Sequence, residues 1–374
     1  MTDNRHWQLG AAEMGRRFRE GSLTPLVVAE ACLARIDAVN PHLNAVVARR
    51  DAQLLEDAAA ATARHAEGRP LSAIDGVPLT VKDSLLTADL PTTWGTPALR
   101  GHRQPHDELA VARVRAAGAL VIGKTNVPEF TVEGYTANPV HGVTRNPWDL
   151  RLTPGGSSGG AVAALAAGMA PLAIAQDAGG SIRRPASHTG VVGLKPSRGA
   201  VPREHVLAGV ALDFEVVGPL ARTVADARLL FEVMRGPDLV ERASLAAAWA
   251  AAQPRPASPL RVLYVERLGD APLDPQIARS VGREWTGWRD SATGCGAPPF
   301  PWTSPRSRRP GPRPRRSAWR SCSKRSRHGR RRRRPSTWRW PSAAGRCLPR
   351  GSGRSWSWWR SCVATRWGSS AMPM

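Results

Sequence analysis

Gly155-Gly156-Ser157-Ser158-Gly159-Gly160 runs directly into Ala161–Ala167 and then into Pro171-Leu172-Ala173-Ile174-Ala175. The first piece is a loop: four glycines around two serines cost chain entropy and imply unusual backbone angles or a close approach. The second is a small-residue helix and the third an apolar strand. The same grammar recurs upstream. Thr24-Pro25 opens a helix, with Thr as N-cap and Pro at its first position. Leu26, Ala29, Cys32, Leu33 and Ile36 give that helix an apolar stripe, and Asn40-Pro41 is expected to stop it. Ala45–Ala48 reads as a strand and Asp51–Arg64 as an Ala-rich helix. Gly76–Val81 reads as a strand ending at Lys82. Leu109–Ala117 reads as a helix ended by Gly118, and Ala119–Ile122 as a buried strand. Alternating helices and strands imply an α/β fold. Val140–Thr153 is a long loop, the kind that usually serves function.

The 374 residues suffice for one large domain or two ordinary ones. No run of about 18 apolar residues exists, which argues against a spanning helix. No secretory signal is visible at Met1–His6, so the cytoplasm is the expected location. The net charge of +23 suggests a nucleic-acid partner, but its distribution does not. Residues 1–282 hold 30 of the 53 Lys+Arg and 28 of the 30 Asp+Glu, a net of +2. Residues 283–374 carry the other +21. Ten of the fourteen Trp lie there, and Leu348 and Val363 are its only Leu and Val.

Such a segment buries too little to offset chain entropy and is expected to be disordered. Its Arg330–Arg334 run admits a nucleic-acid arm. A frameshift in a GC-rich gene explains more. Reading Arg283–Cys295 from each third base of GC-rich codons can give Gly-Val-Asp-Arg-Leu-Ala-Gly-Leu-Gly-His-Arg-Val, an ordinary α/β pattern. The expected organisation is therefore an incomplete domain over 1–282 and an out-of-frame tail over 283–374. Cys32 is the only cysteine before that tail and reads as a small core residue. Cys-x-x-Cys pairs and zinc-type Cys/His spacings are absent.

Three readings compete for Gly155–Gly160. A phosphate loop needs Gly-Lys-Ser/Thr, and no Lys follows. Gly155-x-Ser157-x-Gly159 formally matches a nucleophile elbow, with His188 and His205 downstream. An elbow needs an apolar strand before it, and Trp148–Pro154 is a poor one. A flexible linker is the plain alternative. Asp177-Ala178-Gly179-Gly180-Ser181-Ile182-Arg183-Arg184-Pro185-Ala186 is the companion motif. Consecutive N–H groups around Gly180 can form an anion-stabilising nest beside Ser181, although a Ser before a helix is more often an N-cap. Lys82, one of three lysines before the tail, would by itself be a solvated strand-end group.

Taken together, Gly76–Asp83, Gly123-Lys124-Thr125-Asn126-Val127-Pro128-Glu129-Phe130, Asn146-Pro147-Trp148-Asp149, Pro154–Gly160 and Gly193-Leu194-Lys195-Pro196 closely resemble the amidase-signature enzymes. The resemblance spans about residues 10–282. It implies that family's fold, a mixed central sheet flanked by helices, with the C-terminal part missing or scrambled here. It implies a Ser–cis-Ser–Lys triad, with Ser181 as nucleophile, Ser157 (24 residues earlier, the family spacing) as proton shuttle and Lys82 as base. The implied oxyanion donors are the N–H groups of Ala178, Gly179, Gly180 and Ser181, with Ser158, Asp177 and Arg183 in support. Neither metal nor organic cofactor is implied. The expected partner is a small amide substrate; no specific nucleic acid and no membrane are expected, and a homodimer is compatible with this reading. Gln176 stands where the family usually has Thr, Arg184 where an aliphatic is common, and Ser187-His188-Thr189 replaces a more apolar run. These departures bear on substrate choice. The rival within the family is the glutamine-hydrolysing subunit of a tRNA-dependent amidotransferase. Rivals of another class are a basic-tail nucleic-acid-binding protein and an inactive fragment.

Overall fold

The computed structural model describes residues 5–204, 214–252, 264–267 and 269–291. The chain divides into two compact units, 1–258 and 259–374. The first opens with α1 (Ala11–Arg19), which buries Met14 and Phe18, and α2 (Pro25–Leu43). Thr24 caps α2 as expected, its Oγ1 accepting the Val27 N–H at 3.3 Å. The helix does not stop at Asn40. It runs through Pro41 to Leu43 and ends on left-handed Asn44. The reason is a side-chain clamp across the following turn: Asn40 donates Nδ2–H to Val46 O at 2.8 Å, and its Oδ1 accepts the Ala45 and Val46 N–H groups at 2.8 and 2.9 Å. These bonds hold the turn into β1 (Val46–Arg49) and override the local bias before proline.

The remaining elements are α3 (Asp51–Ala66), β2 (Pro78–Lys82), α4 (Leu109–Ala116), β3 (Leu120–Thr125), β4 (Ala137–Asn138), β5 (Gly142–Val143), α5 (Gly159–Ala166), β6 (Leu172–Asp177), α6 (Arg183–Thr189), β7 (Val192–Gly193), β8 (Val216–Ala221), α7 (Val224–Met234) and α8 (Arg242–Ala252). Six strands form one mixed sheet in the order β1-β3-β2-β6-β8-β7. The β3–β2 and β2–β6 pairs are parallel, and the others antiparallel. Strands β2, β3, β6 and β8 are buried along their whole length. That explains their unbroken apolar runs in place of an alternating pattern. Cys32 is fully buried within the main core, as read from its helical stripe.

The sheet permits little variation where β1 crosses β3. A Cβ on Gly123 would meet the carbonyl oxygen of Ala48 at 2.0 Å, beside an irregularity in the β1 register. Backbone cannot yield as a flexible side chain can. Gly123→Ala is therefore expected to cost about 2–3 kcal/mol and lower Tm by roughly 5–10 °C. An unchanged calorimetric Tm would show that the strands part freely here.

In the second unit, α9 (Pro275–Ser291) is the one helix among the described residues. It carries Trp285, which stacks on Tyr264 with ring centroids 5.1 Å apart. The compositional boundary at 282 thus falls inside a helix. The rest of the 283–374 reading, Arg330–Arg334 and the four later cysteines included, lies outside the described residues.

Candidate active site

Parallel strands β2 and β6 run side by side, with Val81 opposite Ile174. They bring Lys82 and the Asp177–Ser181 loop to the same edge of the sheet. Crevices at the carboxyl ends of parallel strands are where α/β folds bind ligands. The Ser157–Ser158 loop enters from the N-terminus of α5. Its Ser158 N–H donates to Ser181 O at 3.2 Å, which ties the two glycine-rich segments together.

Lys82 is completely buried. Its Nζ donates to Ser157 Oγ at 2.7 Å and to Gln176 O at 3.3 Å. Burial pushes its amine down to about 7, while the Glu215 and Asp177 carboxylates pull the other way. The surface-lysine alternative is therefore excluded by the fold. The Gly156–Ser157 peptide is cis, as the resemblance implies. Lys82, Ser157 and Ser181 all line one cavity of about 370 Å³, with Gln176, Ala178 and Gly179. That volume is within the range of small-molecule sites.

Asp177 shapes the loop before Ser181. Its carboxylate accepts N–H bonds from Gly180 at 2.8 Å, Ile182 at 3.0 Å and Arg183 at 3.2 Å. It also accepts the Arg183 guanidinium through Nη2 at 2.9 Å and Nε at 3.0 Å. Burial alone would raise this carboxyl, but Arg183 and the three amides hold it at about 2. The Gly180 N–H is thus directed into the loop itself. Ala178, Gly179 and Ser181 border the cavity. Ser158 is buried, and its Oγ donates to Gln176 O at 3.4 Å.

The elbow alternative fails on structure. Residues 144–158 contain no strand before the serine, only a turn closed by the Asn146–Asp149 bridge. His188 is not among the residues lining the cavity, and His205 lies outside the described residues. Lys124, matched by motif alone, is structural. Its buried Nζ donates to Leu85 O and, at 2.8 Å, to Thr92 Oγ1.

Several lining residues escaped sequence reasoning. Trp94, Phe130 and Thr131 border the cavity with φ of 49°, 54° and 61°. Bulky residues in the left-handed region are rare and cost on the order of 1–3 kcal/mol each, and they gather at functional sites. The Phe130 N–H donates to Trp94 O at 2.8 Å, coupling the two turns. Trp94 Nε1 donates to Ser84 O at 2.9 Å, which fixes the ring beside the end of β2. Nothing in the composition of these segments marks their conformation.

A family model described as Amidase matches residues 27–288. The chain belongs to this family. It is 41% identical over 277 residues to an acylamidase of Rhodococcus erythropolis, covering 73% of this chain and 58% of that protein. It is 46% identical over 231 residues to a glutamyl-tRNA(Gln) amidotransferase subunit of Symbiobacterium thermophilum, covering 62% and 47%. The solved peptide amidase of Stenotrophomonas maltophilia superposes with a TM-score of 0.60 at 35% identity, covering 67% of this chain and 51% of that one. The chain spans about half the length of the curated relatives it matches. Among the described residues no helix is long and apolar enough to cross a membrane.

Proposed function

We propose that this chain carries the hydrolytic site of an amidohydrolase that cleaves a carboxylic amide C–N bond through a seryl acyl-enzyme. The supporting observation is the buried 2.7 Å contact of Lys82 Nζ with Ser157 Oγ on a cavity that Ser181 also lines. Ser181 Oγ attacks the carbonyl carbon, and its proton passes through Ser157 to neutral Lys82. The N–H groups of Ala178, Gly179 and Ser181 face the developing oxyanion, while that of Gly180 serves the loop through Asp177. The proton returns through Ser157 to the departing nitrogen, giving ammonia or an amine. Water then releases the carboxylate by the same relay. Ammonia release from a panel of primary amides, with the acyl group on Ser181 trapped for mass spectrometry, tests this reading. Release without Ser181 acylation overturns it.

A proton-accepting Lys82 has a kinetic consequence. The neutral amine is the active form, so the rate rises with pH. With the amine near 7, kcat/KM is expected to climb about tenfold per unit below pH 7 and to level above it. A flat profile from pH 6 to 10, with chemistry rate-limiting, contradicts the role.

The second reading, the glutamine-hydrolysing subunit of an amidotransferase, draws on the 46% identity to that protein of Symbiobacterium thermophilum. A neighbouring gene for a partner protein, with glutamine as the preferred amide, would favour it. Residues 283–374 we read as out-of-frame sequence. The break in composition and the end of the family match at residue 288 support this. Steep salt-dependent DNA binding, lost on deleting 283–374, would favour a genuine basic arm instead.

A further inference from the structure

The hydrogen bonds that hold Lys82 are to uncharged groups. Its Nζ donates to Ser157 Oγ at 2.7 Å and to Gln176 O at 3.3 Å. An amine that takes up a proton here becomes a buried ammonium, with no carboxylate in hydrogen-bond contact among the described residues. Such a cation is costly unless an anion stands near. Glu215 is placed to be that anion. It immediately precedes β8, whose Val216 lies opposite Asp177 at the end of β6. Strand β6 in turn runs parallel to β2, with Val81 opposite Ile174. Lys82 and Glu215 therefore share one end of the sheet, and both border the cavity.

The Glu215 carboxylate is held from behind. Arg203 Nη1 reaches Glu215 Oε1 at 3.5 Å, and its Nε donates to Glu108 Oε1 at 2.8 Å. The Arg203 N–H donates to Glu241 Oε2 at 2.8 Å, which anchors the backbone carrying the guanidinium. The side chains of Glu215 and Arg203 are 9% and 12% exposed, so solvent screens their charges little. The other charges around β2 are engaged elsewhere. Asp177 is committed to Arg183 and three amides. Lys124 on β3 bonds to Leu85 O and Thr92 Oγ1. Asp83 bonds to Thr93, with His141 Nε2 at 3.8 Å. Helix α5 carries no titratable side chain; on α2, Glu30, Asp37 and His42 are exposed, and Arg35 donates to Ala167 O. Glu133 and Arg184 also border the cavity, the first half-buried and the second exposed. Burial lowers the Lys82 amine; against it Glu215 pulls hardest, ahead of Asp177, and Arg203 acts with burial.

On the amide-hydrolysing reading above, we infer that Glu215, clasped by Arg203, is a positioning residue of the reaction: it supplies the counter-charge to the Lys82 ammonium each time the relay loads a proton. Glu215 itself gains and loses none. The proton leaves Ser181 Oγ, rests on Lys82 and returns through Ser157 to the departing nitrogen.

The pH profile of kcat/KM for butyramide, a neutral primary amide, tests this on protein from a gene whose frame is corrected near codon 282. Removing the carboxylate removes what favours the ammonium. The acid limb in Glu215→Gln should therefore move down by about 0.5–1 pH unit, raising the rate at pH 6, as a fraction of its plateau, about three- to fivefold. Glu215→Asp keeps the charge and should restore most of the wild-type position. Arg203→Gln removes the opposing cation and should move the limb up instead, so the sign of the effect stays readable where one variant fails to fold. A limb unmoved in Glu215→Gln, shifts of the same sign in Glu215→Gln and Arg203→Gln, or a change confined to KM overturns this inference alone, provided the wild-type limb stands near 7. A wild-type profile without that limb, or hydrolysis independent of Ser181, overturns the functional reading, and this inference falls with it.

Discussion

Ser181→Ala is expected to reduce amide hydrolysis by about 10⁴-fold or more, in protein expressed from a gene whose frame is corrected near codon 282. Ser181 is the only group proposed to form a bond to substrate carbon, so its loss leaves only the loop's amides to assist attack by water. Lys82→Ala should cost about as much. Removing the amine strands the Ser157 proton in a buried site where, among the described residues, Lys82 Nζ is the base hydrogen-bonded to Ser157 Oγ. Ser157→Ala should cost somewhat less, about 10³-fold, because a water can partly bridge the gap it leaves. The three act as one relay, so the Ser181→Ala/Lys82→Ala double variant should be no slower than the worse single one. Steady-state rates on a small aryl or alkyl amide measure this. Full activity in Ser181→Ala would remove the assignment, and multiplicative losses in the double variant would break the relay.

The second large effect concerns the tail. The 374-residue chain as written is expected to be poorly soluble and nearly inactive. A one-base correction near codon 282 is expected to yield soluble protein at least about 10²-fold more active. The sheet gives the reason. Strand β7 is two residues long and pairs with Leu220 and Ala221 of β8; Leu194 N–H adds one bond to Pro219 O, and among the described residues no further strand pairs with Val216–Gly218 on that side. Phe214, Val224, Leu239 and Trp249 also stand exposed on the first unit. An open edge and exposed apolar surface promote association. The text of 283–374, with one Leu and one Val, has little with which to cover them. Activity and cooperative unfolding of the two proteins side by side decide the matter. A cooperative, active 374-residue protein would establish the tail as genuine.

The sequence by itself determined the α/β class and the positions of the helices and strands around the site. Their local signals agree with the fold: a Thr-Pro start at α2, a glycine stop after α4, and unbroken apolar runs in strands buried on both faces. Lys82, Ser157 and Ser181 are singled out by the resemblance to the amidase-signature enzymes; taken alone, these residues leave a phosphate loop, a nucleophile elbow, a linker, an N-cap serine and a solvated lysine open. Only the tertiary structure decided what those residues experience. The burial that brings the Lys82 amine to about 7 comes from strands β3 and β6 on either side of β2, partners that no local pattern specifies. The passage of α2 through Pro41 rests on Asn40 reaching into β1. The direction of the Gly180 N–H into Asp177 rests on a carboxylate held by Arg183. The left-handed turns at Trp94 and Phe130, joined by one backbone hydrogen bond, are set by packing around the cavity. The strand pairing and the Trp94–Phe130 bond join distant segments, while Asn40 and Asp177 bond within six residues of themselves; in each, packing and buried hydrogen bonding exceed local preference.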